Sequence, residues 1–244
     1  MGKNIAAFFD IDGTLARESL MIDHFKKLVK YDVISQTIWL EKIKPFWDGY
    51  SKRYDEYDSY SLVMADAYKK GLTGFSSDFN GYISRQVVKN IGEIVYKYTR
   101  SRIKYHKDNN HLIFFISGSP DFLVKEMAGI YGVTEYRATK YLLDENNNYT
   151  GEIVPMWDSE SKEKEMLKLI EKYDIDMEKS YSYGDTSGDL SMLRATGNSI
   201  AINPIKEFIE KIREDKLLKD KVKIIVERKD VIYLLNPDIK ILDI

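Results

Sequence analysis

The sequence predicts an α/β protein built on a doubly wound parallel sheet, with a helical cap inserted after the first strand. Three observations carry that prediction. Short apolar runs near 5–9, 112–116, 180–183 and 199–202 each close in a polar or glycine-bearing turn, as strands buried on both faces do. Segments with apolar residues at helical spacing separate these runs, and strand–helix alternation is the mark of a parallel sheet. From residue 16 to about 86 helical apolar spacing recurs, broken by an aromatic and charged segment at 46–60, and no strand pattern appears. The expected division is a core of residues 1–15 and 87–244 and a cap of residues 16–86.

Taken in order, Ile5 to Phe9 forms the first strand and runs into Asp10-Ile11-Asp12-Gly13-Thr14. Met21, Ile22, Phe25, Leu28 and Val29 place an amphipathic helix over about 19–31. Ile34, Ile38, Trp39 and Ile43 suggest a second, which Pro45 disturbs. A third is expected from Tyr57 to Lys70, stopping at Gly71. A fourth begins near Ser77, and another is expected over 87–107. The strand at Leu112–Ile116 ends in Ser117-Gly118-Ser119-Pro120, and Pro120 opens a helix that closes at Gly132. Glu135–Leu143 and Gly151–Val154 read as strands joined by a polar turn. A helix over 161–173 leads to the strand at 180–183 and its loop Gly184-Asp185-Thr186-Ser187-Gly188-Asp189. A helix through Leu193, a strand at 199–202, a helix at 204–213 and a strand at 222–226 complete the pattern. Residues 230–244 carry no clear signal.

Composition narrows the functional classes. At 244 residues and 43% hydrophobic content the chain has enough mass for a core with an inserted smaller unit. A net charge of −2 supplies no general attraction to nucleic acid or to an anionic membrane. Cysteine is absent, which excludes disulfides and thiolate chemistry and fits a reducing compartment. No signal-peptide pattern and no apolar stretch of membrane-spanning length is visible, so the cytoplasm is the expected location.

The chemistry is expected at the strand ends. In a parallel sheet the carboxyl ends of the strands share one edge, where such folds bind ligands. Asp10 and Asp12 arrive there from one loop, Ser117 and Gly118 from a second, Asp185 and Asp189 from a third. Buried carboxylates cost several kcal/mol unless a cation or hydrogen bonds compensate them. Asp10, Asp12 and Asp185 are hard oxygen donors. With no Cys and three scattered His (His24, His106, His111), Mg²⁺ fits better than zinc or copper. Ser117 and the backbone N–H groups of Gly118 and Ser119 sit at a strand-to-helix turn, a natural phosphate cradle. Carboxylates, one divalent cation, a Ser and a nearby ammonium suit phosphoryl transfer, with Asp10 or Asp12 as the reactive group. Asp189 can equally serve as a helix cap near Ser187.

These motifs resemble those of the haloacid dehalogenase-like phosphatases, in the branch that includes phosphoserine phosphatase. D-x-D-G-T stands at Asp10–Thr14, the strand ending in Ser at Phe114–Gly118, and G-D-x-x-x-D at Gly184–Asp189. The resemblance covers most of residues 5–213, and Tyr149-Thr150-Gly151-Glu152-Ile153 before a Lys-bearing helix adds to it. It implies a hydrolase of small phosphorylated metabolites. Asp10 would be the nucleophile that becomes an aspartyl phosphate, and Asp12 the general acid and then base. Asp10, Asp12 through its backbone carbonyl, and Asp185 would hold Mg²⁺. Ser117, Gly118 and a lysine would bind the phosphoryl group. Lys162 keeps the family spacing ahead of Gly184-Asp185, with Lys164 the alternative. Gly188 departs from the family, which often has Asn there.

Phosphoserine specificity would need a Glu soon after the first motif and an Arg in the cap. Ser19, with Glu18 beside it, occupies the first place, and Arg53 is the candidate for the second. Trp39, Trp47, Tyr50, Tyr54 and Tyr57 are candidates to line the cap. The same site would also suit a phosphotransferase or a slow phospho-accepting switch, although a switch needs no acid for a leaving alcohol.

Overall fold

The computed structural model describes residues 3–54 and 57–242, with all their side chains except those of 57–59 and 61. Eight strands form one sheet in the order β4-β3-β2-β1-β5-β6-β7-β8. They are β1 Ala6–Phe9, β2 Leu112–Pro120, β3 Glu135–Leu143, β4 Tyr149–Val154, β5 Tyr181–Gly184, β6 Asn198–Ile202, β7 Lys223–Arg228 and β8 Val231–Leu235. The six central strands pair in parallel, and each edge strand, β4 and β8, returns antiparallel. The predicted fold class is the observed one.

The first strand sits in the middle because its side chains suit burial on both sides. Ala7 and Phe9 enter one core cluster, Ala6 and Phe8 another on the opposite face. Phe9 lies in register with Phe115 on one side and Tyr183 on the other, and its ring stacks on Tyr183 with centroids 4.2 Å apart. A strand locked between two neighbours delivers Asp10 to a fixed place at its carboxyl end. Helices α8 (Ser159–Tyr173), α9 (Leu190–Ala195), α10 (Lys206–Glu214) and α11 (Lys216–Lys221) alternate with the later strands, while α6 (Lys97–Asp108) and α7 (Asp121–Tyr131) flank β2.

The insert is helical, as expected, with α1 Leu20–Lys30, α2 Gln36–Ile38, α3 Lys44–Ser51, α4 Tyr57–Leu72 and α5 Ser77–Ile91. Its apolar residues, among them Phe25, Leu28, Met64, Tyr68 and Ile83, make a core of their own that also takes in Tyr141 and Tyr149 from β3 and β4. Pro45 does not end its helix. A π-helical turn at Trp39–Ile43 precedes it, and Pro45 falls in the first turn of α3, where a missing N–H is harmless.

Three boundaries differ from expectation. Gly71 lies inside α4, against Ile34, and the helix runs on to Leu72 before the turn at Gly74. The helix expected over 87–107 is two, because α5 ends at Ile91 and α6 starts at Lys97. Between them the chain pairs with its own outgoing segment: Ala16 bridges Val95, and Tyr96 N–H donates to the Leu15 carbonyl at 3.0 Å. The chain therefore leaves the sheet and comes back at adjacent points. Residue 86 is interior to α5. Residues 231–235, unassigned from sequence, form the β8 edge strand. Among the described residues no helix is long and apolar enough to cross a membrane.

Candidate active site

The loop after β1 turns tightly at Gly13, whose φ of +78° places it where an added Cβ would meet Asp185 Oδ2 at 2.1 Å. That close approach brings the first and third acidic loops together. Thr14 Oγ1 donates to Asp185 Oδ1 at 2.8 Å, and Thr99 Oγ1 from α6 donates to the Thr14 carbonyl at 2.8 Å. One carboxylate oxygen from each of Asp10, Asp185 and Asp189 lies within 4.8 Å of the others, all three residues buried.

Lys162 projects from the buried side of α8 into this group. Its Nζ lies 2.8 Å from Asp10 Oδ1 and 2.6 Å from Asp189 Oδ1, and the residue is 3% exposed. Asp158 caps the helix that carries it, accepting from Ser161 N–H at 2.8 Å. Lys164 stands on the exposed face, and exposed Lys168 pairs with Glu165. Asp189 uses its other oxygen to accept the Asp185 and Thr186 N–H groups at 3.0 and 3.2 Å. It is thus both a partner of Lys162 and the cap of the short turn that holds Asp185.

Asp12 faces the second loop. Ser119 Oγ donates to Asp12 Oδ2, and Leu20 N–H at the start of α1 donates to Asp12 Oδ1 at 2.7 Å. Ser117 is buried, with its Oγ accepting from Ser119 N–H at 3.2 Å. Thr139 of β3 braces the same loop by donating to the Gly118 carbonyl at 2.8 Å. Gly188 is packed under the segment before α8, since a Cβ there would meet the Trp157 carbonyl at 2.3 Å.

Burial dominates the electrostatics. It pushes the Asp10 carboxyl up to about 7 against the pull of Lys162. It raises Asp185 well above the carboxylate range, assisted by the charges of Asp10 and Asp189. Asp12 is also raised by burial, against its hydrogen bonds from Ser119 and Leu20. Burial alone would lower Lys162, but Asp10 and Asp189 outweigh it and raise the ammonium. Three buried carboxylates around one ammonium leave an excess of negative charge, and their donors are hard oxygens. That set fits Mg²⁺.

Asp10, Lys162, Asp185 and Asp189 form one cluster, and the Ser119–Asp12 hydrogen bond ties the loop that carries Ser117 and Gly118 to the loop after β1. Glu18 and Arg53 are exposed, and Arg53 sits in the left-handed region at φ 61°; neither makes a side-chain contact with this site among the described residues. Trp39, Trp47 and Tyr50 pack against the helical core, Tyr54 is 83% exposed, and the side chain of Tyr57 lies outside the described residues. The side-chain roles of Thr14 and Ser119 were missed from sequence; Ser119 was expected to offer its backbone N–H to phosphate, and that N–H instead donates to Ser117 Oγ. Thr14 stands inside the first motif and Ser119 next to Gly118, so adjacency was the available signal.

A family model for haloacid dehalogenase-like hydrolases matches residues 7–194. A probable phosphatase of Mycobacterium tuberculosis is 24% identical over 204 residues, covering 82% of this chain and 69% of that protein. A solved protein of unknown function from Bordetella pertussis superposes with a TM-score of 0.69 at 17% identity, covering 87% of this chain and 96% of that one. A substrate-bound phosphoserine phosphatase superposes at 0.59 and 15% identity, over 86% and 91%. At these identities the two structures speak for the fold alone.

Proposed function

We propose, for a chain that belongs to the haloacid dehalogenase-like hydrolase family, that it is a Mg²⁺-dependent phosphatase of small phosphomonoesters acting through an aspartyl phosphate on Asp10. The observation that carries this is Lys162, buried 2.8 Å from Asp10 and 2.6 Å from Asp189, beside Asp185. A buried ammonium beside the carboxylate read as the nucleophile suits a dianionic phosphate ester. The phosphatase name of the M. tuberculosis relative agrees with it.

In this mechanism an Asp10 carboxylate oxygen attacks phosphorus while Lys162, Ser117 and the Gly118 N–H hold the phosphoryl oxygens. As the ester P–O bond breaks, Asp12 gives its proton to the departing alkoxide, which leaves as the alcohol. Burial moves the Asp12 carboxyl toward its protonated form, the direction a general acid needs. Asp12 then takes a proton from water, whose oxygen attacks the aspartyl phosphate and releases inorganic phosphate and free Asp10. Asp10, the Asp12 carbonyl and Asp185 would hold Mg²⁺, which supplies charge neutralisation at the phosphoryl group. Asp189 holds Lys162 and the Asp185 loop in place. In this reading the helical insert keeps water from the intermediate; it leaves and rejoins the core at the paired segments around Ala16 and Val95, with its far boundary at the end of α5. The exposed position of Arg53 lends no support to phosphoserine specificity.

The test is release of phosphate from p-nitrophenyl phosphate with Mg²⁺. The parent is expected to turn over repeatedly, and Asp10→Asn to lose at least a thousandfold in kcat with an unchanged melting profile. Retained turnover in Asp10→Asn would overturn the nucleophile, and a single turnover by the parent would favour the switch.

A further inference from the structure

A row of hydrogen-bonded side chains runs from the surface to the two strands that carry Asp10 and Asp185. Arg102 of α6 donates from Nε to the Tyr183 hydroxyl at 3.2 Å. The same hydroxyl lies 2.9 Å from His106 Nε2, and His106 Nδ1 lies 2.9 Å from Nδ1 of His111, the residue just before β2. His106 is fully buried and His111 is partly exposed. Each proton in this row has one place to go. A guanidinium only donates. The Tyr183 oxygen accepts that bond and must pass its own proton on, and among the described residues His106 Nε2 is the acceptor it meets. His106 therefore carries its proton on Nδ1 and donates it to His111 Nδ1, which leaves the His111 proton on Nε2.

This order requires a neutral His111. A second proton on His111 sets N–H against N–H across the 2.9 Å contact. If His106 answers by moving its proton to Nε2, the buried Tyr183 hydroxyl loses its acceptor, which is costly. His111 is faced by Tyr105 and His106 of α6 and by Tyr181 of β5, whose ring stacks on it with centroids 5.9 Å apart. Burial, helped by the Arg102 charge, lowers it below the usual 6.5, so it is neutral at pH 7 and charges only in more acid solution. Tyr183 is the junction with the site. Its ring stacks on Phe9, its carbonyl accepts the Asp10 N–H at 3.0 Å, and Asp185 follows two residues on. We infer that His111 is a positioning residue for turnover: neutral, it fixes His106 and Tyr183, and with them the backbone ahead of Asp10 and Asp185; protonated, it releases them. The effect on turnover rests on the phosphatase reading above.

The experiment follows the imidazole nitrogen and Asp10 amide resonances, and kcat for p-nitrophenyl phosphate with Mg²⁺, from pH 8 down to pH 5. It uses the parent and His111→Gln, which still offers His106 an acceptor but does not titrate; a thermal melt verifies that the variant folds. At pH 8 the parent should carry the His106 proton on Nδ1 and the His111 proton on Nε2. As His111 charges, the Asp10 amide should shift and kcat should fall at least threefold, with one shared midpoint. Asp10, raised to about 7, titrates in the same range, so the diagnostic is the step that His111→Gln removes. That variant should hold kcat at pH 8 within twofold of the parent and lose the step in both readouts. A merely structural His111 would lower kcat by one factor at every pH and leave the step in place, which overturns the inference. A His106 proton found on Nε2 at pH 8 overturns it as well. Either result leaves the phosphatase reading standing. No phosphate release by the parent overturns that reading and the role in turnover with it, whatever the resonances show.

Discussion

Gly188 shows what a single residue decides. The resemblance read from sequence implies Asn at this place, and Gly188 stood there as a departure from it. Instead the Trp157 carbonyl occupies the space a side chain would start in, so backbone does the bracing. Restoring the family residue should therefore do harm. Gly188→Asn is expected to cost about 1–3 kcal/mol of stability through overpacking and to lower kcat/KM at least tenfold by shifting the segment that leads into α8 and Lys162. A thermal melt and phosphate-release kinetics check both; a variant as stable and active as the parent would mean the segment yields freely. The carboxylates, Ser117 and Lys162 were legible because each stands at a strand end or at a fixed distance from one. The side-chain roles of Thr14 and Ser119 were not, because what matters about them is the partner each finds in space.

Single elements are anchored by few groups. Helix α6 begins where the chain returns from the insert, and Glu227 of β7 accepts both the Lys97 and Tyr98 N–H groups, at 2.9 and 2.8 Å. This carboxylate does from a distant strand what a local cap does elsewhere. Glu227→Ala should cost about 1–2 kcal/mol, or about 2–8 °C in Tm for a chain of this size, read by calorimetry; an unchanged Tm would make the contact incidental. The helix predicted across 87–107 failed at this same place. Apolar spacing continues from Val87 past Gly92, and only the pairing of Val95 with Ala16 interrupts it. Gly71 misled in the opposite sense, since a glycine that looks like a stop is kept for its contact with Ile34. Strand β8 was invisible because Val231 to Leu234 are exposed on both faces and give no alternation.

Two consequences concern the whole molecule. Ligands that bind only the folded state raise its stability, by about 2.7 kcal/mol at a hundredfold excess over Kd. Mg²⁺ should therefore raise Tm over an EDTA control, and Asp185→Asn should lose most of that rise; equal shifts in both proteins would put the ion elsewhere. The second concerns acid. Burial lowers His24 and His106 to about 3 from the usual 6.5. Both are neutral when folded, while the unfolded chain takes up their protons below about pH 6.5. Their contribution is complete above that pH and drains away as pH falls toward 3, at up to about 1.4 kcal/mol per pH unit each. His24 is held by Tyr68 and Ser84, at 2.8 and 3.3 Å, where α1, α4 and α5 meet. His24→Gln should flatten the decline of Tm between pH 6 and 4 relative to the parent; parallel curves would refute a neutral buried imidazole.

The hydrogen bond from Leu20 to Asp12 has a practical corollary. The side chain assigned to proton transfer is also the peg on which α1 hangs. Removing it outright undoes two things in one stroke, so an inert Asp12→Ala enzyme says little about acid catalysis. Asp12→Asn keeps an oxygen for Leu20 and discards the exchangeable acid, and it is the cleaner instrument for asking which of the two jobs turnover depends on.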